Sequence, residues 1–156
     1  MGTVVRREDL ERVADDLRKQ GKRLVTTNGC FDLLHVGHVR ILKAARALGD
    51  VLIVGLNDDA SVRRLKGDGR PINNQDDRAE ILTSLACVDF VTVFPEDTPV
   101  EFLALVKPAI HVKGADYKPG DLAETPVVER FGGEVKILEL VPDRSTSSIV
   151  ARLSGA

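Results

Sequence analysis

Two imidazoles three residues apart, His35 and His38, enclose Gly37 and close the run Asn28-Gly-Cys-Phe-Asp-Leu-Leu-His-Val-Gly-His38. Where a helix begins, this spacing turns both rings to one side, and a glycine without a Cβ lets a bulky group come close. The layout suits an anion. A helix N-terminus offers unpaired N–H groups and the positive end of a dipole, and ring N–H groups add donors for phosphate oxygens. Two other readings of the same side chains stand beside this one. Cys30, His35 and His38 could be three zinc ligands, with Cys87 the only other thiol in the chain. The histidines could also be packed residues at a helix start. Asn28-Gly29 reads as a hairpin turn as well, but no alternating second strand follows it.

Cations gather further along, at Arg63, Arg64, Lys66 and Arg70, with Arg78 on the next helix. By charge alone such a run reads as a solvated basic loop. Ser145, Thr146 and Ser148 stand where the last helix opens, as N-caps, as donors to phosphate, or as both. Lys113, Gly114 and Asp116 follow a strand, and His111 inside that strand reads as a packed residue.

The elements that must position these groups alternate along the chain. Leu10, Val13 and Leu17 recur at helical spacing, so residues 7–20 read as an amphipathic helix closed by Gly21. A short β-prone run over 23–29 leads through the histidine loop into a helix that ends at Gly49-Asp50. Val51 to Leu56 is continuously apolar, as expected of a strand buried on both faces of a parallel sheet. Helices over 59–65 and 76–86, a strand at 90–94, a helix at 99–106 and a strand at 109–112 come next. A weaker helix to Phe131, a strand over 134–140 and a terminal helix over 146–153 complete the pattern. Such alternation predicts an α/β fold, a single doubly wound parallel sheet with helices on both faces and ligands at the carboxyl ends of its strands.

Composition bounds the rest. The chain has 156 residues, 43% of them hydrophobic, which suits one domain over 1–156 with residues 1–21 as a helix packed on it. A formal charge of −2 gives no bulk field to draw nucleic acid or anionic lipid, so any anion site is local. The apolar runs fall far short of the roughly 20 residues of a membrane span, and the first ten residues lack a secretory layout, so a cytoplasmic protein is expected. Two distant cysteines announce no disulfide framework.

His-Val-Gly-His after Asn-Gly-Cys-Phe-Asp-Leu-Leu resembles the HxGH signature of the nucleotidyltransferase superfamily, in its cytidylyltransferase-like branch. Arg63-Arg-Leu-Lys-Gly67, Arg70-Pro-Ile-Asn73 and Asp77-Arg78-Ala-Glu-Ile-Leu82 are similar to that branch's basic loop and Arg-bearing helix, in the expected order. Phe94-Pro-Glu-Asp-Thr-Pro99, Val112-Lys-Gly-Ala-Asp-Tyr117 and Ser145-Thr-Ser-Ser148 most resemble the D-glycero-β-D-manno-heptose 1-phosphate adenylyltransferases. The resemblance implies a Rossmann-like sheet of the HUP, or nucleotidyltransferase, type. It also implies transfer of AMP from ATP, with Mg²⁺, to a heptose 1-phosphate, giving ADP-heptose and pyrophosphate for lipopolysaccharide or glycan precursors.

On the same footing His35, His38, Lys66 and Arg78 are expected to be catalytic, the histidines on the α- and β-phosphate oxygens. Asn28, Gly29, Cys30, Phe31, Gly37, Lys113, Gly114, Asp116, Ser145, Thr146 and Ser148 are expected to bind ATP. Asp32, Lys66 and Arg78 are expected at the sugar phosphate, Asp32 by accepting from the sugar or by orienting its loop. No protein ligand is assigned to Mg²⁺. A separate sugar kinase would supply the acceptor, and a homo-oligomer is expected. The alternatives are a cytidylyltransferase acting on glycerol 3-phosphate or a related polyol phosphate, and a sensor module that binds ATP without turning it over.

Overall fold

The computed structural model describes residues 1–114, 120, 122–139 and 146–155. These form a parallel sheet of β1 (Thr3–Val4), β2 (Leu24–Gly29), β3 (Val51–Asn57), β4 (Phe90–Phe94), β5 (Ile110–Gly114) and β6 (Glu134–Leu138), in the order β1-β4-β3-β2-β5-β6. The connecting helices are α1 (Arg7–Lys19), α2 (Val36–Arg46), α3 (Asp59–Lys66), α4 (Gln75–Thr83), α5 (Val100–Val106), α6 (Thr125–Arg130) and α7 (Thr146–Ser154).

β3 is buried along its whole length, which is why its sequence is apolar without alternation. Its two faces feed two cores. Leu52, Val54 and Leu56 join Leu42 and Ala45 of α2 and Ala79 and Leu82 of α4. Val51 and Ile53 join Leu10 and Ala14 of α1, Phe102, Leu103 and Val106 of α5, and Val128 of α6. The sheet is therefore covered on both sides, as the alternation of elements predicts. From β2 the chain winds outward through β3 and β4, then returns to lay β5 and β6 on the other side of β2. The order reverses between β2 and β5, and a crevice opens at such a reversal beyond the carboxyl ends of the strands.

Most boundaries fall within a residue or two of the sequence reading, and three differences stand out. α4 closes at Thr83 rather than Ala86, because the hydroxyls of Thr83 and Ser84 both donate to the Glu80 carbonyl, at 2.9 and 2.8 Å. β6 closes at Leu138. β1 is an addition, two residues pairing with β4, with the Gly2 and Val5 amides donating to the Thr83 and Val91 carbonyls at 2.8 Å each. Two residues are too short to show a period. No helix of the described residues is long and apolar enough to cross a membrane.

Gly55, inside β3, marks where α5 presses on the sheet: a Cβ there would lie 2.9 Å from the Phe102 ring. Alanine in a strand is ordinarily better than glycine, so the sign of Gly55→Ala reports the packing alone. We expect it to destabilise by about 1–3 kcal/mol in urea unfolding; an unchanged midpoint would mean that the ring yields freely.

Candidate active site

The loop leaving β2 reaches α2 through two histidines that cap one another. His35 is the N-cap, in extended conformation (φ −135°, ψ 174°), and its Nδ1 accepts from the Gly37 amide at 3.0 Å. The His35 amide in turn donates to Nδ1 of His38 at 3.3 Å. The rings stack with centroids 3.8 Å apart and planes 27° apart, and Phe31 packs on His38 at 5.2 Å. A δ nitrogen that accepts leaves the hydrogen on Nε2, so the fold itself selects the tautomer in both rings. Burial, helped by the neighbouring His35, pulls the His38 pKa down to about 4, and burial lowers that of His35 as well. At neutral pH each ring thus offers a neutral N–H donor.

A cavity of about 570 Å³ lies over the carboxyl ends of β2, β3 and β5. Asn28, Gly29, Cys30 and Phe31 line it with Gly37 and the two histidines, so the residues of the first loop come together as the sequence reading expects. Lys66, exposed at the end of α3, and Lys113 and Gly114, at the end of β5, line it too. Asp116 and Ser145 lie outside the described residues, and Thr146 opens α7. Ser147, one position before the expected Ser148, reaches the cavity wall. The Cys30 thiol is pushed up by burial against the pull of nearby Lys66, Arg78 and Arg70, so it is held protonated and poorly nucleophilic. His111 is fully buried, with Nδ1 2.8 Å from Thr26 Oγ1.

One expectation needs correction, and a second is narrowed to one of its two alternatives. Arg78 is 0% exposed and does not reach the cavity; its guanidinium is consumed within the protein. Nε donates to the Asn73 carbonyl (2.9 Å), Nη1 to the Cys30 and Asn57 carbonyls (2.7 and 2.8 Å), and Nη2 to the Asp59 carboxylate (2.8 Å). It ties the ends of β2 and β3 to the loop before α4 and grips no phosphate. Asp32 borders the cavity but its carboxylate is likewise occupied, accepting from the Ile72 and Asn73 amides and from Arg70 Nε (2.7 Å). Burial would raise its pKa, but the Asn73 and Ile72 amides and Arg70 outweigh it and hold the carboxyl below the usual range. Asp32 orients the Arg70–Asn73 loop; it has no lone pair turned to a sugar.

Other lining groups were not among the expected site residues. Arg70, which charge alone assigns to a solvated run, is brought in by Asp32. Asn57 closes β3, and Glu124, just ahead of α6, pairs with Lys113 at 3.1 Å. Nothing local marks Glu124; its partner lies on another strand. Arg64 stays outside, donating to Asp97 (2.9 Å) and the Pro95 carbonyl (2.7 Å).

Comparison with known proteins identifies the family. A family model described as cytidylyltransferase-like matches residues 26–152. The bifunctional protein HldE of Syntrophotalea carbinolica is 52% identical over 147 residues, covering 94% of this chain and 30% of that protein. The bifunctional protein HldE of Wolinella succinogenes is 47% identical over 98% of this chain and 31% of its own length. The chain therefore spans just under a third of these relatives. Among solved structures, the lipopolysaccharide core biosynthesis protein of Thermoplasma volcanium superposes with a TM-score of 0.63 at 29% identity, over 78% of this chain and 98% of that one. The pantoate-beta-alanine ligase of Francisella tularensis shares the fold, with a TM-score of 0.64 at 15% identity over 94% of this chain and 69% of its own.

Arg78→Met would strip donors from three carbonyls and leave Asp59 unpaired, so a loss of about 3–5 kcal/mol is expected in denaturant unfolding. A variant as stable as the parent would remove the tie just described. His38 gives a pH signature. Its folded pKa, about 4, lies below the ordinary 6.5, so the unfolded chain binds more protons between these values and stability falls as pH drops from 6.5 toward 4. The loss from this group should be on the order of 2 kcal/mol after allowance for its partial exposure. His111, buried uncharged, adds to the same slope; His38→Asn should flatten it in part, and an unchanged slope in thermal melts would refute the assignment.

Proposed function

The chain belongs to the cytidylyltransferase-like family of nucleotidyltransferases, and from that premise we propose that it transfers AMP from ATP to D-glycero-β-D-manno-heptose 1-phosphate, forming ADP-heptose and releasing pyrophosphate. The choice of adenylyl group and heptose rests on the motif resemblance, supported by roughly 50% identity to the HldE relatives and by the lipopolysaccharide core biosynthesis neighbour. The observation that carries the chemistry is the capped histidine pair, both residues lining the cavity with Nδ1 held by a backbone amide.

A phosphate oxygen of the sugar 1-phosphate attacks the α-phosphorus of ATP, and the bond from that phosphorus to the bridging oxygen of pyrophosphate breaks. No protein nucleophile is needed, in keeping with a protonated Cys30. The obstacle is repulsion between anions: each pair of unit charges about 4 Å apart costs ~1 kcal/mol in water and ~4 kcal/mol at an effective dielectric of 20. His35, His38 and the α2 N-terminus supply donors to the α- and β-phosphate oxygens, Lys66 adds charge, and fixed alignment supplies the rest. Among the described residues no group of three or more His, Cys, Asp or Glu is arranged to hold a metal. Mg²⁺ enters this reading with the triphosphate, where phosphate oxygens and water would ligate it and it would offset negative charge.

The acceptor's 1-phosphate requires a sugar kinase upstream, and the reading includes a cytoplasmic setting and a homo-oligomer. Pyrophosphate release, measured with each nucleoside triphosphate, Mg²⁺ and a panel of sugar and polyol phosphates, is the test. Turnover is expected with ATP and the heptose 1-phosphate; activity with CTP and glycerol 3-phosphate alone would overturn the choice, and tight ATP binding without product from any acceptor would favour a sensor. His35→Ala should lower kcat on the order of 10²–10³-fold, at a capping cost of about 1 kcal/mol that leaves the fold intact. Near-normal turnover in that folded variant would end the role given to the pair.

A further inference from the structure

The cations around the cavity are not equivalent. Lys66, on the β3 side, makes no ion pair among the described residues and is exposed. Lys113, at the end of β5, is nearly buried (13% of its side chain exposed) and its Nζ lies 3.1 Å from Oε1 of Glu124, whose side chain is 5% exposed. Behind this pair stands His111, 0% exposed, with Nε2 3.8 Å from the same oxygen and Nδ1 held by Thr26. Burial alone would raise the Glu124 pKa, but His111 and Lys113 bring it down to about 2, so the carboxylate keeps its charge. His111 is held below its ordinary value by burial. The Lys113–Glu124 unit is therefore a neutral salt pair, and the sheet order sets it on the opposite side of β2 from Lys66.

We propose that Glu124 is a specificity-determining residue of the nucleotide site: by offsetting the charge of Lys113 it leaves the β5 end of the cavity without pull on phosphate and suited to the uncharged nucleoside, whose hydroxyl or amino hydrogens the carboxylate can take. This rests on the nucleotide reading above. Phosphate oxygens carry no hydrogen to donate at neutral pH, so a permanently anionic acceptor in the wall is wrong for them and right for a nucleoside. The triphosphate is left to the other end, where His35, His38, the start of α2 and Lys66 all present donors. One charge pair thereby fixes which way round the ligand lies, which in-line attack at the α-phosphorus requires.

Equilibrium titration of the full chain with ATP, adenosine and inorganic tripolyphosphate separates the two ends. Glu124→Gln should weaken adenosine about tenfold and leave tripolyphosphate unchanged or tighter, since one negative charge is removed from the β5 end. Lys66→Ala should do the reverse, weakening tripolyphosphate and sparing adenosine. The double variant Lys113→Met with Glu124→Leu removes both members of the pair together, and so serves if the single variant does not fold; it too should weaken adenosine while tripolyphosphate holds. Adenosine that binds either folded variant within twofold of the parent overturns the proposal, as do adenosine and tripolyphosphate weakening in parallel and a parent that does not bind adenosine. A parent that does not bind ATP overturns the nucleotide reading itself; normal ATP binding with adenosine insensitive to Glu124 overturns this inference alone.

Discussion

The site depends on a backbone amide donating to an imidazole, twice over. Gly37 N–H occupies Nδ1 of His35, and His35 N–H occupies Nδ1 of His38. A helix start must satisfy its free amides, and here it does so with the side chains that face the ligand, so the cap and the binding group are one structure. The consequence is chemical. Protonating either δ nitrogen would destroy the acceptor and with it the cap, so the folded loop favours neutral rings with hydrogen on Nε2. Stacking at 3.8 Å works in the same direction, because two imidazolium rings at that separation would repel.

Beneath this cap lies a layer of buried charge whose partners are groups of the protein itself. Arg78 holds the Cys30, Asn57 and Asn73 carbonyls and the Asp59 carboxylate, and Asp32 holds the Ile72 and Asn73 amides and Arg70. Irregular loops at strand ends expose carbonyls and amides that a sheet would have paired, and a buried polar group left single costs about 1–3 kcal/mol. A guanidinium with its fork of donors and a carboxylate with its several lone pairs each settle several such debts at one point. They also fix the spacing of three loops that carry the cavity wall. An alignment-driven reaction needs that rigidity more than it needs further cations.

How much of this could be read from the amino-acid string follows from what kind of information each feature is. β3 was legible because burial on both faces demands an unbroken apolar run, and the α2 start because two histidines and a glycine at that spacing have few other uses. The sheet and its covering helices follow from the alternation, and the superposed neighbours share it. Arg78 was misread, and Asp32 left open between sugar and loop, because residue type states a charge but not its depth: an arginine on a helix after a basic loop looks like a phosphate ligand until its 0% exposure is known. β1 has too few residues to show a period. Glu124 acquires meaning only from Lys113 and His111, which sit on a strand that the chain reaches earlier and pairs elsewhere.

Neutral histidines are better suited to this work than charged ones would be. A permanent cation beside the triphosphate would bind ground state and transition state alike, and uniform binding lowers KM without raising kcat. A neutral N–H donor gains most where negative charge accumulates, on the equatorial oxygens of the five-coordinate phosphorus, and so discriminates between the two. Protonation is opposed by the same bonds that orient the rings: each δ nitrogen accepts from a backbone amide, and burial disfavours the charged form. The δ nitrogens, tied to the backbone, thus keep the rings both neutral and from turning away as charge develops on the phosphorus.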